Sequence, residues 1–149
     1  MVDIKKPWQF EHSVDCKAAK SFVWQYWTDV SNWERLEGEA VEWIRIEGPF
    51  AEGTSGATKI PGQEPHYWRI SQLQAEFSAT IEIQLDGALF LNKMTMKSIS
   101  LDATRITQCL SLVGEKASNY AEGMKTFETS APQGLVKLAN AIETTFGSV

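Results

Sequence analysis

An alternation of apolar and polar residues in segment 75–87 constrains the fold more than any other feature of the chain. The segment reads AEFSATIEIQLDG, and its apolar positions are Phe77, Ala79, Ile81, Ile83 and Leu85. A period of two covers one face of a strand and leaves the other in water, as in an antiparallel sheet. Asp86 and Gly87 then form a favourable hairpin turn. The segment therefore predicts a strand that turns directly into an antiparallel neighbour.

Other segments of the chain repeat this strand pattern between turn residues. Within residues 41–114 they read VEWIRIEG, GTSGATKIPG, EPHYWRISQL, ALFLNKMTMKSIS and ATRITQCLSLVG. A further strand is predicted near the N-terminus, where the alternating apolar-side residues are Trp8, Phe10, His12 and Val14. Because hairpin turns link the six strands of residues 41–114, we expect a single antiparallel sheet that curls.

Helical spacing of apolar residues predicts two short helices after the first strand. The stripe of the first helix consists of Phe22, Val23, Tyr26 and Trp27. Asp15 is the expected cap of this helix. The second helix carries Trp33 and Leu36, and Ser31 is its expected cap. We expect Trp27 to pack inward.

The C-terminal part of the chain, from residue 115, returns to the helical period. Its apolar positions are Tyr120, Met124, Phe127, Leu135, Leu138 and Ile142. Pro132 interrupts them, and a proline inside a helix costs about 3 kcal/mol outside the first turn. We therefore expect either one kinked long helix or a second helix capped by Ser130.

Length and charge limit the classes of function. The 149 residues are 43% hydrophobic, which suits one domain spanning residues 1–149. The formal net charge is −5, which argues against nucleic acid or an anionic membrane surface as a partner. With no run of about 18 apolar residues and no apolar leader, we expect a cytoplasmic protein that does not insert into membranes.

Four stretches of the sequence resemble the helix-grip superfamily, which includes START domains, pollen-allergen-like proteins and other SRPBCC proteins. They are FVWQYWTDVSNW, IEGPFAEGTSGATK, DATRITQCLSLVGEKA and GLVKLANAIE. Within the superfamily, the likeness is to the bacterial polyketide cyclase/dehydrase-like branch. The resemblance implies an α+β helix-grip fold, in which a curved antiparallel seven-stranded sheet wraps around a long C-terminal helix. It also implies an internal cavity for a small hydrophobic ligand.

Strand parity, taken with this resemblance, gives a set of candidate ligand-binding residues. The set is Trp27, Trp68, Arg69, Phe77, Ile81, Met94, Met96, Gln108, Tyr120, Met124 and Phe127. Apolar burial would supply affinity, and the polar members together with His12 would fix orientation. Met94 and Met96 suit either an adaptable pocket or an irregular core.

Catalytic chemistry has weaker signals in the sequence. A cyclase or dehydratase needs a general acid or base in the cavity, and the candidates are His12 and Tyr120. Cys16 and Cys109 are far apart, and the two histidines lack a metal-ligand pattern, so we expect no metal and no cofactor. Three functions thus stay open, which are ligand binding, polyketide cyclisation or dehydration, and a protein-interaction module with an exposed apolar patch.

Overall fold

The computed structural model describes residues 7–148, and its centre is one antiparallel sheet of seven strands. The strands are β1 Trp8–Cys16, β2 Trp43–Ile46, β3 Ser55–Lys59, β4 His66–Gln74, β5 Ser78–Leu85, β6 Ala88–Ser100 and β7 Ala103–Val113. They lie in the order β1-β7-β6-β5-β4-β3-β2. Strands β2 to β7 follow one another as neighbours, whereas β1 pairs with β7 from the other end of the sequence.

Four helices accompany the sheet in the described part of the chain. They are α1 Lys20–Trp27, α2 Val30–Glu37, α3 Ala121–Met124 and α4 Phe127–Gly147, with 3-10 turns at Gly38–Ala40 and Ala117–Asn119. The seven antiparallel strands, the two short helices after β1 and the long C-terminal helix confirm the predicted architecture.

The two predicted helix caps are wrong. Asp15 lies at the end of β1 and pairs with Arg105 on β7, at 2.8 Å between Oδ1 and Nε. Helix α1 instead begins after Ala19, without a side-chain cap. The cap of α2 is Asp29, whose carboxylate accepts a hydrogen bond from the backbone N–H of Ser31 at 3.1 Å. Arg105 thus engages the carboxylate expected to cap α1, and the Asp29 carboxylate takes the place expected for the Ser31 hydroxyl at α2.

The C-terminal region resolves the alternatives at Pro132 in favour of one long helix. Helix α4 continues through Pro132, and the Ser130 hydroxyl donates to the Thr126 carbonyl at 3.2 Å instead of capping a new helix. The region before α4 is less regular than its apolar spacing predicts. Tyr120 lies between the 3-10 turn and α3, outside the long helix.

The sheet has an inner face, which α4 covers, and an outer face. Two apolar clusters occupy the inner face. In the first cluster, Met94, Met96 and Ile106 pack with Leu135 and Ile142 of α4. The second cluster lies towards α3 and contains Trp8, Ala88, Phe90, Leu110, Leu112 and Ala117. The clusters fix α4 at two places along its length.

Aromatic rings close the end of the first cluster beside α1 and α2. Trp33 lies 5.8 Å from Trp27 and 5.3 Å from Trp68, measured between ring centroids. Phe50 makes edge contacts with the Trp27 and Trp33 rings. The Trp33 indole N–H also donates to the Trp27 carbonyl at 2.5 Å. Such ring pairs contribute to stability beyond their buried area, so they stabilise this end of the core.

Candidate ligand site on the inner face of the sheet

Three polar side chains form a row across the inner face, on three adjacent strands. His12 of β1 lies opposite Gln108 of β7 in the strand register, and Asn92 is on β6. The His12 Nε2 atom is 2.7 Å from Gln108 Oε1, and Gln108 Nε2 donates to Asn92 Oδ1 at 3.2 Å. We call His12, Gln108 and Asn92 the polar row.

The polar row separates the two apolar clusters. Along β7, Ile106 on one side of Gln108 belongs to the first cluster and Leu110 on the other side belongs to the second. Along α4, Ala131 packs against the second cluster and Leu135 against the first. The row therefore faces the turn of α4 that contains Pro132. All three of its side chains are only partly buried.

The hydrogen bonds of the row determine which nitrogen of His12 carries a proton. The Gln108 amide group uses its N–H to bond Asn92, so its oxygen is left to accept. His12 Nε2 must then be the donor. In the neutral ring this leaves the Nδ1 lone pair available to bind or take up a proton. The Phe10 ring stacks on the imidazole, with centroids 5.2 Å apart.

Cys16 and Asp15, which do not belong to the polar row, have shifted pKa values. Burial raises the pKa of the Cys16 thiol to about 12, and nearby Glu143 acts in the same direction. This thiol donates to the Ala139 carbonyl, with 3.6 Å between sulfur and oxygen, so it is an inert part of the core. On the outer face, the hydrogen bond from Arg105 lowers the pKa of Asp15.

Most of the predicted ligand-binding residues belong to the inner face of the sheet or to the segments that cover it. The first cluster includes Trp27, Trp68, Ile81, Met94 and Met96. Tyr120 and Met124 pack against the second cluster. Phe127 contacts the rings of Trp8 and Phe90, with centroids 6.5 Å and 5.5 Å away. Gln108 is the centre of the row itself.

The other two predicted ligand-binding residues, Arg69 and Phe77, do not lie on the inner face. Trp68 and Ile70 are buried in the first cluster, so Arg69 between them points to the outer face, where it pairs with Glu82 at 3.3 Å. Phe77 lies in the turn between β4 and β5, and its side chain is 45% exposed. The alternation begins one residue later than the sequence pattern indicates, because β5 begins at Ser78.

The sequence interpretation missed Asn92, although a usable signal was present. Asn92 shares the parity of Met94 and Met96 on β6, and all three face inward. Tyr120, in turn, has its hydroxyl engaged, because it donates to the Asp86 carbonyl at 2.8 Å. His66 is exposed and lies 2.8 Å from the Gln63 side chain. His12 is thus the histidine of the inner face.

Residues 7–148 contain no group of three histidine, cysteine, aspartate or glutamate side chains placed to hold a metal ion. None of the helices in this part of the chain has the length and hydropathy to cross a membrane.

Comparison with known proteins identifies the fold. No family model and no curated protein matches the sequence. Among solved structures, truncated norcoclaurine synthase from Thalictrum flavum superimposes with a TM-score of 0.73 at 16% identity, covering 97% of this chain and 96% of that one. The Zhui aromatase/cyclase from Streptomyces sp. R1128 gives 0.71 at 14% identity, covering 91% and 93%. The protein has the helix-grip fold.

Other helix-grip structures resemble the chain to a similar degree. The Aha1 dimer from Colwellia psychrerythraea has a TM-score of 0.67 at 14% identity, covering 91% of this chain and 96% of that one. One norcoclaurine synthase structure is a complex with dopamine and hydroxybenzaldehyde, and it matches at 15% identity with a TM-score of 0.70, covering 93% and 85%. The TM-scores establish the shared helix-grip fold. At identities this low, the activity has to be argued from the site.

Proposed function

We propose that this protein binds a small, mainly hydrophobic molecule between the inner face of the sheet and α4. The observation that carries the proposal is the polar row, which joins His12, Gln108 and Asn92 between two apolar clusters. An ordinary core would fill this position with apolar side chains, because buried polar groups lower stability unless they are fully hydrogen-bonded.

The arrangement fits an amphipathic ligand. The apolar part of the molecule would contact the two clusters, at about 25 cal/mol per Å² of buried apolar surface. A single polar group of the ligand would bond to His12 Nδ1 or to the remaining hydrogen-bonding capacity of Asn92. The dopamine and hydroxybenzaldehyde complex of norcoclaurine synthase shows that this fold can hold small aromatic molecules.

The covering segment, residues 121–131, would admit the ligand. Most of its side chains are exposed, and its link to the sheet includes a hydrogen bond from the Trp8 indole N–H to Glu128 at 3.0 Å. Met124 and the half-exposed Phe127 ring lie over the second cluster. Methionine adapts to differently shaped ligands at small cost, which suits a wall that must repack.

Native mass spectrometry of protein purified from its own host tests the proposal. We expect a small-molecule adduct that dissociates on unfolding. Gln108→Leu should lose the adduct, because it removes the centre of the row. Thr107→Val, the adjacent change on the outer face of β7, should retain it. An absence of adduct, together with unchanged methyl resonances of Met94 and Met96 in the presence of apolar small molecules, would contradict the proposal.

The second candidate is an enzyme that cyclises or dehydrates the bound molecule, and the His12 geometry favours it. The hydrogen bond to Gln108 holds the imidazole in one orientation and leaves Nδ1 free to take up a proton. A base fixed in this way beside an apolar binding region has the arrangement that general-base catalysis requires.

The bound molecule itself distinguishes the two candidates. His12→Phe and wild-type protein are purified from the same host, and their adducts are compared by mass. An enzyme would carry a different molecule when it lacks the base, namely the unreacted substrate. A binding protein would carry the same molecule in both forms, or none in the variant if His12 only orients the ligand.

A further inference from the structure

The outer face of the sheet contains a second depression, which we call the outer groove. It crosses β4 to β7 on the face opposite α4 and encloses about 510 Å³. The residues used below are Arg69, Thr80, Leu89, Leu91, Lys93 and Ser111. The outer face of an antiparallel sheet is ordinarily polar and filled by water-exposed side chains. A depression with a buried floor is therefore unusual in this place.

Two buried hydroxyl groups form the floor of the outer groove. Thr80 is 6% exposed and Ser111 is 3% exposed. Neither hydroxyl hydrogen-bonds to another side chain or to the backbone within residues 7–148. Across the same residues, no unpartnered side-chain oxygen is completely sealed from solvent. Both hydroxyls must then open into the groove that they line, where they can bond a ligand.

Lys93, which forms no ion pair within residues 7–148, stands beside one of these hydroxyls. Lys93 lies directly opposite Thr80 in the register of β5 and β6, which places their Cβ atoms roughly 5 Å apart. No carboxylate of residues 7–148 forms an ion pair with Lys93. Arg69 at the far side of the groove is paired with Glu82 at 3.3 Å. Lys93 is therefore the cation that a ligand would meet.

Leucine side chains provide an apolar wall within the same groove. Leu89 and Leu91 alternate on the outer face of β6, and both are partly buried. Leu91 lies opposite Ser111 of β7 in the strand register. Ser111 on β7 lies two strands from Thr80 on β5 and one same-face position further along the strands, a separation of about 12 Å. An occupant of that length would meet a cation and a hydroxyl at one end and leucine methyl groups along its body.

We propose that the outer groove binds a small organic acid, a carboxylate joined to a short apolar body. The carboxylate bonds to the Lys93 ammonium and the Thr80 hydroxyl, which are charge-assisted contacts. The apolar body lies on Leu89 and Leu91, and Ser111 bonds any polar group at its far end. This site is on the opposite side of the sheet from the polar row and does not depend on the function proposed for the inner face.

Methyl-labelled NMR spectra test the proposal with hexanoate as the probe and hexan-1-ol as the uncharged control of equal length. The methyl groups of Thr80, Leu89 and Leu91 report on the outer groove, and those of Met94 and Met96 report on the inner face. We expect hexanoate to shift the outer-groove methyls in a saturable manner, and hexan-1-ol to leave them unchanged.

Substitutions of Lys93 and Thr80 test the two contacts proposed for the carboxylate. Lys93→Met should weaken hexanoate binding about tenfold or more, since it removes a charge-assisted hydrogen bond. Thr80→Val keeps the side-chain shape and should weaken binding severalfold. Lys97→Met, which removes the next outward lysine of β6 beyond the groove, should bind as wild type does.

Three results would overturn the proposal. They are equal shifts with hexanoate and hexan-1-ol, wild-type affinity in Lys93→Met, and outer-groove methyls that do not move with hexanoate. If, in the third case, the methyls of Met94 and Met96 shift, the result would instead support ligand binding on the inner face.

Discussion

Glu76 occupies a backbone conformation that amino acids with side chains disfavour. Its φ angle is +60°, and it is the one non-glycine residue of the described chain in the left-handed region. The residue is the third of the four-residue turn 74–77, which is closed by the hydrogen bond from the Phe77 N–H to the Gln74 carbonyl at 2.9 Å. Turns with a positive φ at the third residue usually have glycine there. The β4–β5 turn is therefore strained at this residue.

Replacing Glu76 with glycine should stabilise the protein. We expect Glu76→Gly to raise the free energy of unfolding by about 1 kcal/mol, because glycine adopts positive φ without steric cost. Denaturant unfolding measures the change. Glu76→Ala is the matched control, since it removes the same side chain but keeps the strain. If the free energy of unfolding of Glu76→Gly is equal to or lower than that of Glu76→Ala, strain at this residue is not the explanation.

The buried Cys16 thiol should make the protein sensitive to alkali. Its pKa rises from 9.0 to about 12 in the fold, so the folded state keeps a proton that the unfolded state releases. The resulting stability is fully present below pH 9.0 and is lost as the pH rises towards about 12.

Denaturant unfolding across this pH range, on wild type and Cys16→Ala, measures the effect. The variant will be less stable throughout because it leaves a cavity, but its stability should fall less steeply above pH 9.0. Because the other titrating groups are the same in both proteins, the difference between the two slopes is due to Cys16. Equal slopes would show that Cys16 does not cause the alkaline loss.

The candidate site could be predicted only in part from individual residues. Strand parity placed His12 and Gln108 on the inner face, and the structure adds the hydrogen bond that joins them. The same parity rule also predicts Asn92, because Phe90 and Met94 flank it on one face of β6 as Ile106 and Leu110 flank Gln108 on β7. The partner of Arg69 is Glu82 on the next strand, which the local sequence does not reveal.

Helix α4 is continuous although it contains Pro132. The proline removes one backbone hydrogen bond from the helix and crowds the preceding turn. It also lies in the turn that faces the polar row. We expect the helix to yield to a ligand most readily at this turn, because the turn has one backbone hydrogen bond fewer.

Pro132→Ala should therefore stabilise α4 at the expense of ligand binding. We expect the free energy of unfolding to rise by about 1–3 kcal/mol, since alanine restores the missing hydrogen bond. Gly134→Ala is the control, because it also strengthens the helix and its new methyl group meets no atom within 4 Å. Unfolding and adduct retention are measured on both. Stabilisation of the two variants with full adduct retention would exclude a role for the proline in binding.

Strands were more predictable than helix boundaries for a physical reason. A half-buried strand shows its alternation in every residue pair, so β5 and β7 are visible in the sequence alone. A helix cap depends on a single side chain, and that side chain can form a hydrogen bond or an ion pair elsewhere instead. Asp15 pairs with Arg105, ninety positions away in the sequence, and this contact cannot be inferred from neighbouring residues.

Local stability should differ between parts of the molecule. Strand β7 is paired on both sides, with β1 and β6, and its apolar residues are buried. The covering segment 121–131 has mostly exposed side chains. Amide protection follows such differences in burial and hydrogen bonding. We therefore expect β7 to be well protected and the covering segment to open locally.

Hydrogen exchange measured by mass spectrometry checks this expectation. We expect amides of residues 121–131 to exchange by local opening, well before those of β7. Residues 135–142 of α4 are the internal control, because they belong to the same helix but have a buried stripe. Equal protection of both parts of α4 would mean that the helix opens as one unit and that the covering segment is not an entrance.

The pairing of β1 with β7 has a consequence for synthesis of the chain. His12 and Gln108 are 96 positions apart, and β1 has no neighbour in the sheet other than β7. At a translation rate of about 5–20 residues per second, the first strand emerges from the ribosome about 5–20 s before its partner. During that interval its alternating apolar residues have no sheet to join. Among the described strands, the one that completes the polar row thus waits longest for its partner during synthesis.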